Sequence, residues 1–209
     1  MSAVEQFKTM ADLQDQINSK ISKSWRQNGN EWYRAIWIEA AEMMDHIHYK
    51  WWKSGTMDLE QVQLELVDIF HFALSDLLEK HGNSEEVSDY LMKAWSDFKG
   101  DDQAPLLAVE ELARRTLVSM GFDAAAFFQT MYSVEMTLDD LFKLYVCKNV
   151  LNSFRQDKGY KDPNIVYHKV FDGKEDNEHL MDIAKKISPD QVDFIELIYA
   201  GLEAIYPKS

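Results

Sequence analysis

Apolar residues recur at every third or fourth position over most of the chain, which is the spacing of one buried helix face. In residues 4–24 this stripe consists of Phe7, Met10, Leu13, Ile17 and Ile21. The same spacing predicts a second helix over 31–52, which we expect to end with Gly55 in the left-handed conformation. A third helix is predicted over 58–80, with Asp58 as its N-cap. The first part of the chain is thus predicted to be helical.

The helical pattern continues toward the C-terminal end. Further helices are predicted over 84–99, 105–120, 124–135, 138–158, 178–187 and 189–205. Thr137 and Asp140 have the spacing of a capping box, and Gly159 is placed to end the helix that follows them. The only extended piece that we expect lies over 166–171. The pattern predicts an all-α helical bundle, with no stretch near the roughly 20 apolar residues that a membrane span needs.

The composition agrees with one helical domain. The 209 residues are 46% hydrophobic, which is enough to bury one substantial core. Glycine and proline, which interrupt helices, number only 8 and 4. We therefore expect a single domain over 1–209, with an exposed linker at 99–102.

The formal net charge of −14 makes nucleic acids and anionic membranes poor partners, because both bind basic surfaces. A phosphorylated small molecule stays compatible if metal ions neutralise it. The single cysteine, Cys147, excludes an internal disulfide. Residues 1–8 contain Glu5 and Lys8 and no apolar run, so no signal peptide is predicted. We expect a cytoplasmic protein.

Two pairs of carboxylates lie on the second and third predicted helices. Glu39 and Glu42 are three residues apart and share one helix face, and Glu65 and Asp68 do the same on the next helix. Positions 39 and 68, like positions 42 and 65, are symmetric about the predicted turn. A short connection makes two helices pack antiparallel. The sequence therefore predicts that all four carboxylates meet at one level.

Four carboxylates that converge beside apolar residues repel one another unless a cation binds them. Oxygen ligands without cysteine are those that Mg²⁺, or Mn²⁺ in its place, prefers in proteins. Each pair alone also fits the solvated face of a helix in an acidic protein. The spacing thus predicts a metal site and leaves the solvated face as its alternative.

A carboxylate-bridged di-iron site is the rival metal centre, because two D-x-x-H pairs are present. These pairs are Asp45 with His48 and Asp68 with His71. In an antiparallel hairpin, however, Val62 would lie opposite Asp45, about 9 Å from the level of Asp68 at the rise of an α-helix. The register disfavours the di-iron alternative. We interpret His71 as a buried, hydrogen-bonded residue that supports the acids.

The seventh predicted helix carries a polar stripe that is unusual in a chain this acidic. Lys148, Asn152 and Arg155 lie at i, i+4 and i+7 and share a direction, and Lys158 and Tyr160 follow at the helix end. Arginine binds a phosphate through two parallel bonds, lysine as a point charge and tyrosine through its hydroxyl. A phosphate site and a solvated basic face fit this stripe equally. Taken with the carboxylates, the stripe indicates metal-assisted hydrolysis of a phosphoanhydride.

Three stretches of the sequence resemble the dimeric dUTPase family, one of the all-α NTP pyrophosphatases, together with MazG-type proteins and phage dCTPase-dUTPases. The first signature combines WIEAAEMMD at 37–45, WWK at 51–53 and ELVDIFHF at 65–72. The second is KNVLNSFRQDKGYK at 148–161, and a shorter third is GKEDN at 173–177. The motifs occur in the order of the family, and the resemblance covers roughly residues 10–180.

The resemblance implies hydrolysis of dUTP to dUMP and diphosphate, and often of dUDP, by a homodimer. Glu39, Glu42, Glu65 and Asp68 would bind Mg²⁺. One of the first two would also orient or deprotonate the attacking water, and Glu39 is our preferred base. The phosphate chain would be held by Lys148, Asn152, Arg155, Lys158 and Tyr160.

In the family, an amide pair on the first helix reads the uracil edge. Gln14 and Asn18 have the i, i+4 spacing for this role, and Gln16 competes with them because the register is open there. A buried amide that the wrong base leaves unpaired discriminates against that base. Trp52 is our candidate for packing on the nucleoside, with Trp51 or a core role as the alternative.

The segment at about 82–138 carries none of the three signatures and is a candidate for the mobile subdomain that closes over substrate in this family. Two further functions stay open beside the di-iron alternative. One is a related pyrophosphatase that prefers dCTP or another nucleotide. The other is a non-catalytic helical interaction protein.

Overall fold

The computed structural model of the chain describes residues 1–187, 191 and 193–207. The secondary structure of this part is almost entirely α-helical, which confirms the predicted all-α class. The chain divides into two compact units, Met1–Phe142 and Lys143–Ser209. None of the described helices is long and apolar enough to cross a membrane.

The first unit is built from helices that pack around α3. In chain order they are α1 (Ala3–Ile21), α2 (Trp32–His46), α3 (Leu59–His81), α4 (Ser84–Asp97), α5 (Pro105–Ser119) and α6 (Ala124–Ser133), with a 3-10 turn at Trp25–Gln27. α3 contacts α1, α2 and α4, while α5 packs against α2 and α6. The segment at 82–138 thus contributes helices to this unit, and its mobility stays a prediction.

The central helix α3 is buried along most of its length, because its apolar residues occupy several faces. Ile69 and Phe70 are fully buried, and the Phe70 ring stacks on Phe127 of α6 with centroids 4.9 Å apart. Burying a side chain of this size stabilises a fold by roughly 1.5–3 kcal/mol. The helix that carries Glu65 and Asp68 is therefore held in place by the core of the unit.

Short polar side chains satisfy the first backbone N–H groups of two helices for which the sequence predicts caps. Asp58 accepts a hydrogen bond from the backbone N–H of Gln61 at 3.2 Å. Before α7 (Leu138–Asp157), the backbone N–H of Thr137 donates to Asp140 at 3.0 Å and that of Asp140 donates to the Thr137 hydroxyl at 3.1 Å. A cap of this kind contributes about 1 kcal/mol. Both predicted caps are confirmed.

The second helix is shorter than the sequence predicts, since α2 ends at His46 and not at residue 52. His48 is left-handed, with φ of 60°, and the backbone N–H of Asp58 donates to the His46 carbonyl at 2.9 Å. Residues 47–58 therefore form a closed loop. The prediction for Gly55 is wrong, because its φ lies outside the left-handed region. Gly55 instead lies against the His48 ring, where a Cβ would overlap.

The second unit joins the end of α7 to a β-hairpin and the C-terminal helices. These elements are β1 (Val170–Phe171), β2 (Lys174–Glu175), α8 (Asp176–Ala184) and α9 (Phe194–Ile205). Asp172 and Gly173 have φ of 48° and 77°, as a two-residue hairpin turn requires. α8 packs against α9.

The C-terminal predictions are confirmed in part. The extended piece predicted at 166–171 is a strand only at Val170–Phe171. The helix predicted at 178–187 is α8, which begins two residues earlier and ends at Ala184. The start predicted for the last helix, residue 189, lies outside the described residues.

Candidate active site

The carboxylates of α2 and α3 converge within the first unit. Glu39, Glu42 and Glu65 each offer an oxygen atom, and these atoms all lie within 4.8 Å of one another. The convergence follows from the sequence, because Glu39 and Glu42 share a face of α2 and α2 packs against α3. Three oxygen ligands at this spacing are a fit for a small, hard divalent cation.

The fourth predicted ligand, Asp68, is the residue that symmetry about the turn pairs with Glu39. Asp68 lies outside the 4.8 Å cluster but acts electrostatically on Glu39.

Glu39 is the carboxyl that this arrangement perturbs most clearly. Burial, followed by the negative charges of Asp68 and Glu65, raises the pKa of Glu39 to about 8. At a pKa of about 8 the Glu39 carboxyl keeps its proton near neutral pH while no cation is bound. A cation that displaced this proton would relieve the repulsion among the carboxylates.

His46 borders the carboxylate cluster, although the sequence pattern does not single it out. Its Nε2 atom lies 3.6 Å from Oε1 of Glu65, whose side chain is 13% exposed. His46 is the last residue of α2. The longer helix predicted from the sequence places His46 in the helix interior. In the structure His46 lies at the end of α2, where the loop begins.

The predicted amide pair lies in a buried hydrogen-bond network between α1 and α3. Gln14 and Asn18 donate through their side-chain amides to Oγ of Ser75 at 3.0 and 2.9 Å. Oε1 of Gln14 lies 2.8 Å from Nδ1 of His71, and the Ser75 hydroxyl donates to the His71 carbonyl at 3.0 Å. The competing residue Gln16 is exposed. The network therefore brings together Gln14, Asn18 and His71.

Ser75 is the member of this network that the sequence analysis missed. It is fully buried and lies one helical turn after His71, in a run of apolar residues on α3. A hydroxyl at i+4 from a buried histidine is the signal that identifies it. His71 is buried and hydrogen-bonds to Gln14, as predicted, and its support of the acids stays a prediction.

The tryptophans of the 47–58 loop are exposed. Trp51 and Trp52 are 88% and 57% exposed and meet edge to face with centroids 5.3 Å apart. Tyr49 contacts Trp52 in the same manner at 6.2 Å. A core role for Trp52, one of the alternatives, is therefore wrong, and both indole rings are accessible to a ligand.

The predicted phosphate-binding stripe forms a connected cluster within the second unit. Lys148 is buried and donates to Oδ1 of Asn177 at 3.0 Å. Arg155 forms two parallel bonds of 2.8 Å with Asp176, and its Nη1 donates to Oδ1 of Asn152 at 3.3 Å. The stripe thus meets the third signature, GKEDN, through the last two residues of that motif.

The two residues at the end of α7 differ in their surroundings. Tyr160 is about half exposed, and the Arg155 guanidinium lies 5.8 Å from its ring centroid. Lys158 pairs with Glu203 of α9 at 2.7 Å. The structure therefore groups Tyr160 with Arg155, and places Lys158 against α9.

The di-iron alternative finds no support in these contacts. Asp45 forms an ion pair with Lys50, and His48 is exposed in the loop. His71, from the second D-x-x-H pair, hydrogen-bonds to Gln14. The two pairs therefore do not form a shared ligand set.

Comparison with known proteins agrees with the residue-level resemblance. The sequence profile of the family described as dUTPase matches residues 6–160. This span is about three quarters of the chain and includes all four carboxylates, the amide pair and the polar stripe. A search of curated proteins finds no match. The chain therefore belongs to the all-α, dimeric-type dUTPase family and is a dUTP diphosphatase.

Proposed function

We propose that the enzyme hydrolyses dUTP, and also dUDP, with Mg²⁺ bound by Glu39, Glu42, Glu65 and Asp68. The observation that carries this proposal is the group of three carboxylates within 4.8 Å, and the raised pKa of Glu39 supports it. Mn²⁺ is the expected substitute, because it accepts the same oxygen ligands. When bound, the ion supplies Lewis-acid chemistry, since it neutralises phosphate charge and makes water a better nucleophile.

Glu39 is the proposed general base, and Glu42 the alternative. Its carboxylate accepts a proton from the attacking water as the water oxygen bonds to phosphorus. The anhydride bond between the α and β phosphates breaks, and diphosphate leaves from dUTP, or phosphate from dUDP. With no cation bound, a pKa of about 8 keeps Glu39 protonated near neutral pH. Glu39 could therefore serve as the base only after a bound cation had displaced that proton.

The polar stripe is proposed to bind the phosphate chain. Arg155 and Lys148 neutralise charge that builds up on the leaving group, while Asn152 and Tyr160 contribute an amide and a hydroxyl. Lys158, which pairs with Glu203, would exchange that partner for the phosphate. The contacts of Lys148 with Asn177 and of Arg155 with Asp176 support this assignment, since both cations reach neighbouring residues of the third signature.

Gln14 and Asn18 are proposed to read the uracil edge, and Trp52 to pack on the nucleoside. The amides are fixed by Ser75 and His71, so a base that mismatches them leaves buried polar groups unpaired. Turnover of dCTP at a rate much above that of dUTP, in a panel of nucleotides with Mg²⁺, would overturn this assignment.

Removing a carboxylate tests the metal site. Glu42→Ala and Glu65→Ala are each expected to lower kcat with dUTP by about 10²-fold or more, since each removes a ligand of the ion. Helicity, measured by circular dichroism, should stay near that of the wild type. Glu110→Ala, an exposed glutamate of α5, is the matched control. Full activity of the two site variants, or activity after removal of Mg²⁺ with a chelator, would contradict the proposal.

A further inference from the structure

The carboxylate of Asp176 is buried in the second unit and surrounded by donors. Its side chain is 2% exposed. Oδ1 accepts from Nη2 of Arg155 and Oδ2 from Nε, each at 2.8 Å. Oδ2 also accepts from the hydroxyl of Tyr167 at 2.7 Å. Two parallel bonds between a carboxylate and a guanidinium fix the plane of the guanidinium.

The backbone around Asp176 fixes where this carboxylate lies. Asp176 is the first residue of α8 and follows directly on β2, and its own N–H donates to the Lys169 carbonyl at 2.9 Å. Glu175 and Glu178 form a capping box at the same helix start. The positive end of a helix dipole also favours an anion here. Asp176 is thus anchored independently of Arg155.

Asp176 is charged at neutral pH. Burial acts to raise the pKa of Asp176, but the hydrogen bonds and charge of Arg155, with the hydrogen bond of Tyr167, hold that pKa below its ordinary value. On the other side of the guanidinium, Nη1 of Arg155 donates to Asn152. Arg155 is therefore held by an anion on one edge and by an amide on the other.

We propose that Asp176 is a positioning residue for catalysis: it orients the Arg155 guanidinium so that Arg155 meets the phosphate chain in one fixed geometry. This inference rests on the proposed role of Arg155 as a phosphate ligand. A guanidinium that is already fixed loses less side-chain freedom when it binds phosphate. It also neutralises the developing charge without first reorganising.

A structural role alone is the competing explanation, because a buried ion pair that loses one partner destabilises a fold. The two explanations differ in what happens to the enzyme that remains folded. A structural role changes the fraction of folded protein and leaves the kinetic constants of each folded molecule unaltered. A positioning role changes those constants, and does so only while Arg155 is present.

The test uses the full-length enzyme with dUTP and saturating Mg²⁺, below the unfolding temperature of every variant. Asp176→Asn is expected to lower kcat/KM by about 10²-fold per folded molecule, since displaced catalytic contacts cost on that order. The matched control is Asp182→Asn on the same helix, whose carboxylate pairs with Lys174 at 2.6 Å on the surface. This control should stay within about twofold of the wild type.

The second arm is a double-mutant cycle with Arg155→Lys. This substitution keeps the positive charge and loses the two parallel N–H donors of the guanidinium. Arg155→Lys is expected to lower kcat/KM by about 10²-fold, and adding Asp176→Asn should lower it by less than about threefold more. Two independent losses that multiply, or an Asp176→Asn variant as active as the Asp182→Asn control, would overturn the proposal.

One further variant and two further outcomes complete the test. If Asp176→Asn does not fold, Asp176→Glu retains the charge and shifts the carboxylate by one methylene, and the same loss of kcat/KM is expected. If Arg155→Lys retains full activity, the phosphate role of Arg155 is wrong and the positioning role falls with it. If Arg155→Lys lowers kcat/KM while Asp176→Glu and Asp176→Asn keep full activity, the positioning role of Asp176 is rejected. The phosphate role of Arg155 then stands.

Discussion

In the proposed mechanism Glu39 has two tasks, because the same carboxyl binds a cation and accepts a proton. Burial, followed by the charges of Asp68 and Glu65, makes the neutral form favourable while no cation is present. A proton on Glu39 thus reduces the repulsion among the carboxylates, and this proton can leave when a cation binds. A cation and this proton compete for one set of oxygen atoms.

Magnesium uptake should therefore release a proton from Glu39. At pH 6.5, below the pKa of about 8, the metal-free enzyme holds this proton, so binding is expected to release about one proton and to weaken as the pH falls. Calorimetric titration in buffers with different ionisation enthalpies measures the number released. Glu39→Gln, which carries no such proton, is the control. A binding enthalpy that does not depend on the buffer in the wild type would rule this account out.

At the scale of elements, the sequence predicts what depends on local contacts and misses what depends on distant ones. Asp58 and the Thr137–Asp140 pair were identifiable because a cap is formed by residues within one turn. The end of α2 was not, because Tyr49 to Trp52 continue a plausible helical pattern. The helix stops where His46 bonds to Asp58 across the loop, which no local pattern encodes.

The candidate site divides in the same way. Spacing predicted that Glu39 and Glu42 share a face, and that Lys148, Asn152 and Arg155 form a stripe. It could not identify Asp176 as the partner of Arg155, because the two residues are separated by a hairpin whose path depends on tertiary packing. The sequence does not identify Ser75 for a similar reason, since its hydrogen-bond partners Gln14 and Asn18 lie on another helix, α1.

The end of α7 offers a test at this scale. Gly159 has φ of 76°, and the N–H of Tyr160 donates to the Arg155 carbonyl at 2.9 Å, as in a helix that ends on a left-handed glycine. Gly159→Ala is expected to lower the free energy of unfolding by about 1 kcal/mol, because a Cβ disfavours this conformation.

Gly159→Asn is the matched control for that substitution. Asparagine also adds a Cβ, close to Ile165, but it tolerates the left-handed region better. Urea unfolding should therefore show a smaller loss for Asn than for Ala. Equal losses would mean that contact with Ile165, and not the backbone conformation, makes glycine necessary here.

For the whole molecule, the family implies a homodimer, and the surface of α2 offers a candidate interface. Trp37 and Ile38 are about half exposed on this helix. Large aromatic side chains with accessible faces are enriched at protein interfaces. A net charge of −14 opposes association over long distances, so an apolar contact of this kind would have to overcome it.

Light scattering during size exclusion tests this expectation. The 24.4 kDa chain should elute as a particle of about twice that mass, and Trp37→Glu should shift it toward the monomer, since a charge at an apolar interface is costly. Val118→Glu, a change at an exposed residue of α5, should leave the mass unaltered. A wild-type enzyme with the mass of one chain would contradict the dimer, and an unaltered Trp37→Glu would exclude this face.

The hydrogen bonds of the buried network have a fixed direction from donor to acceptor. The network consists of Gln14, Asn18, Ser75 and His71. The Ser75 hydroxyl gives its hydrogen to the His71 carbonyl, so its oxygen is left to accept from both amides. Gln14 must then turn its carbonyl oxygen to His71, so that Nδ1 of His71 donates the hydrogen of this bond. One hydroxyl thus decides which nitrogen of a neighbouring histidine is a donor. A change at Ser75 would remove the constraint that orients both amides and the imidazole ring.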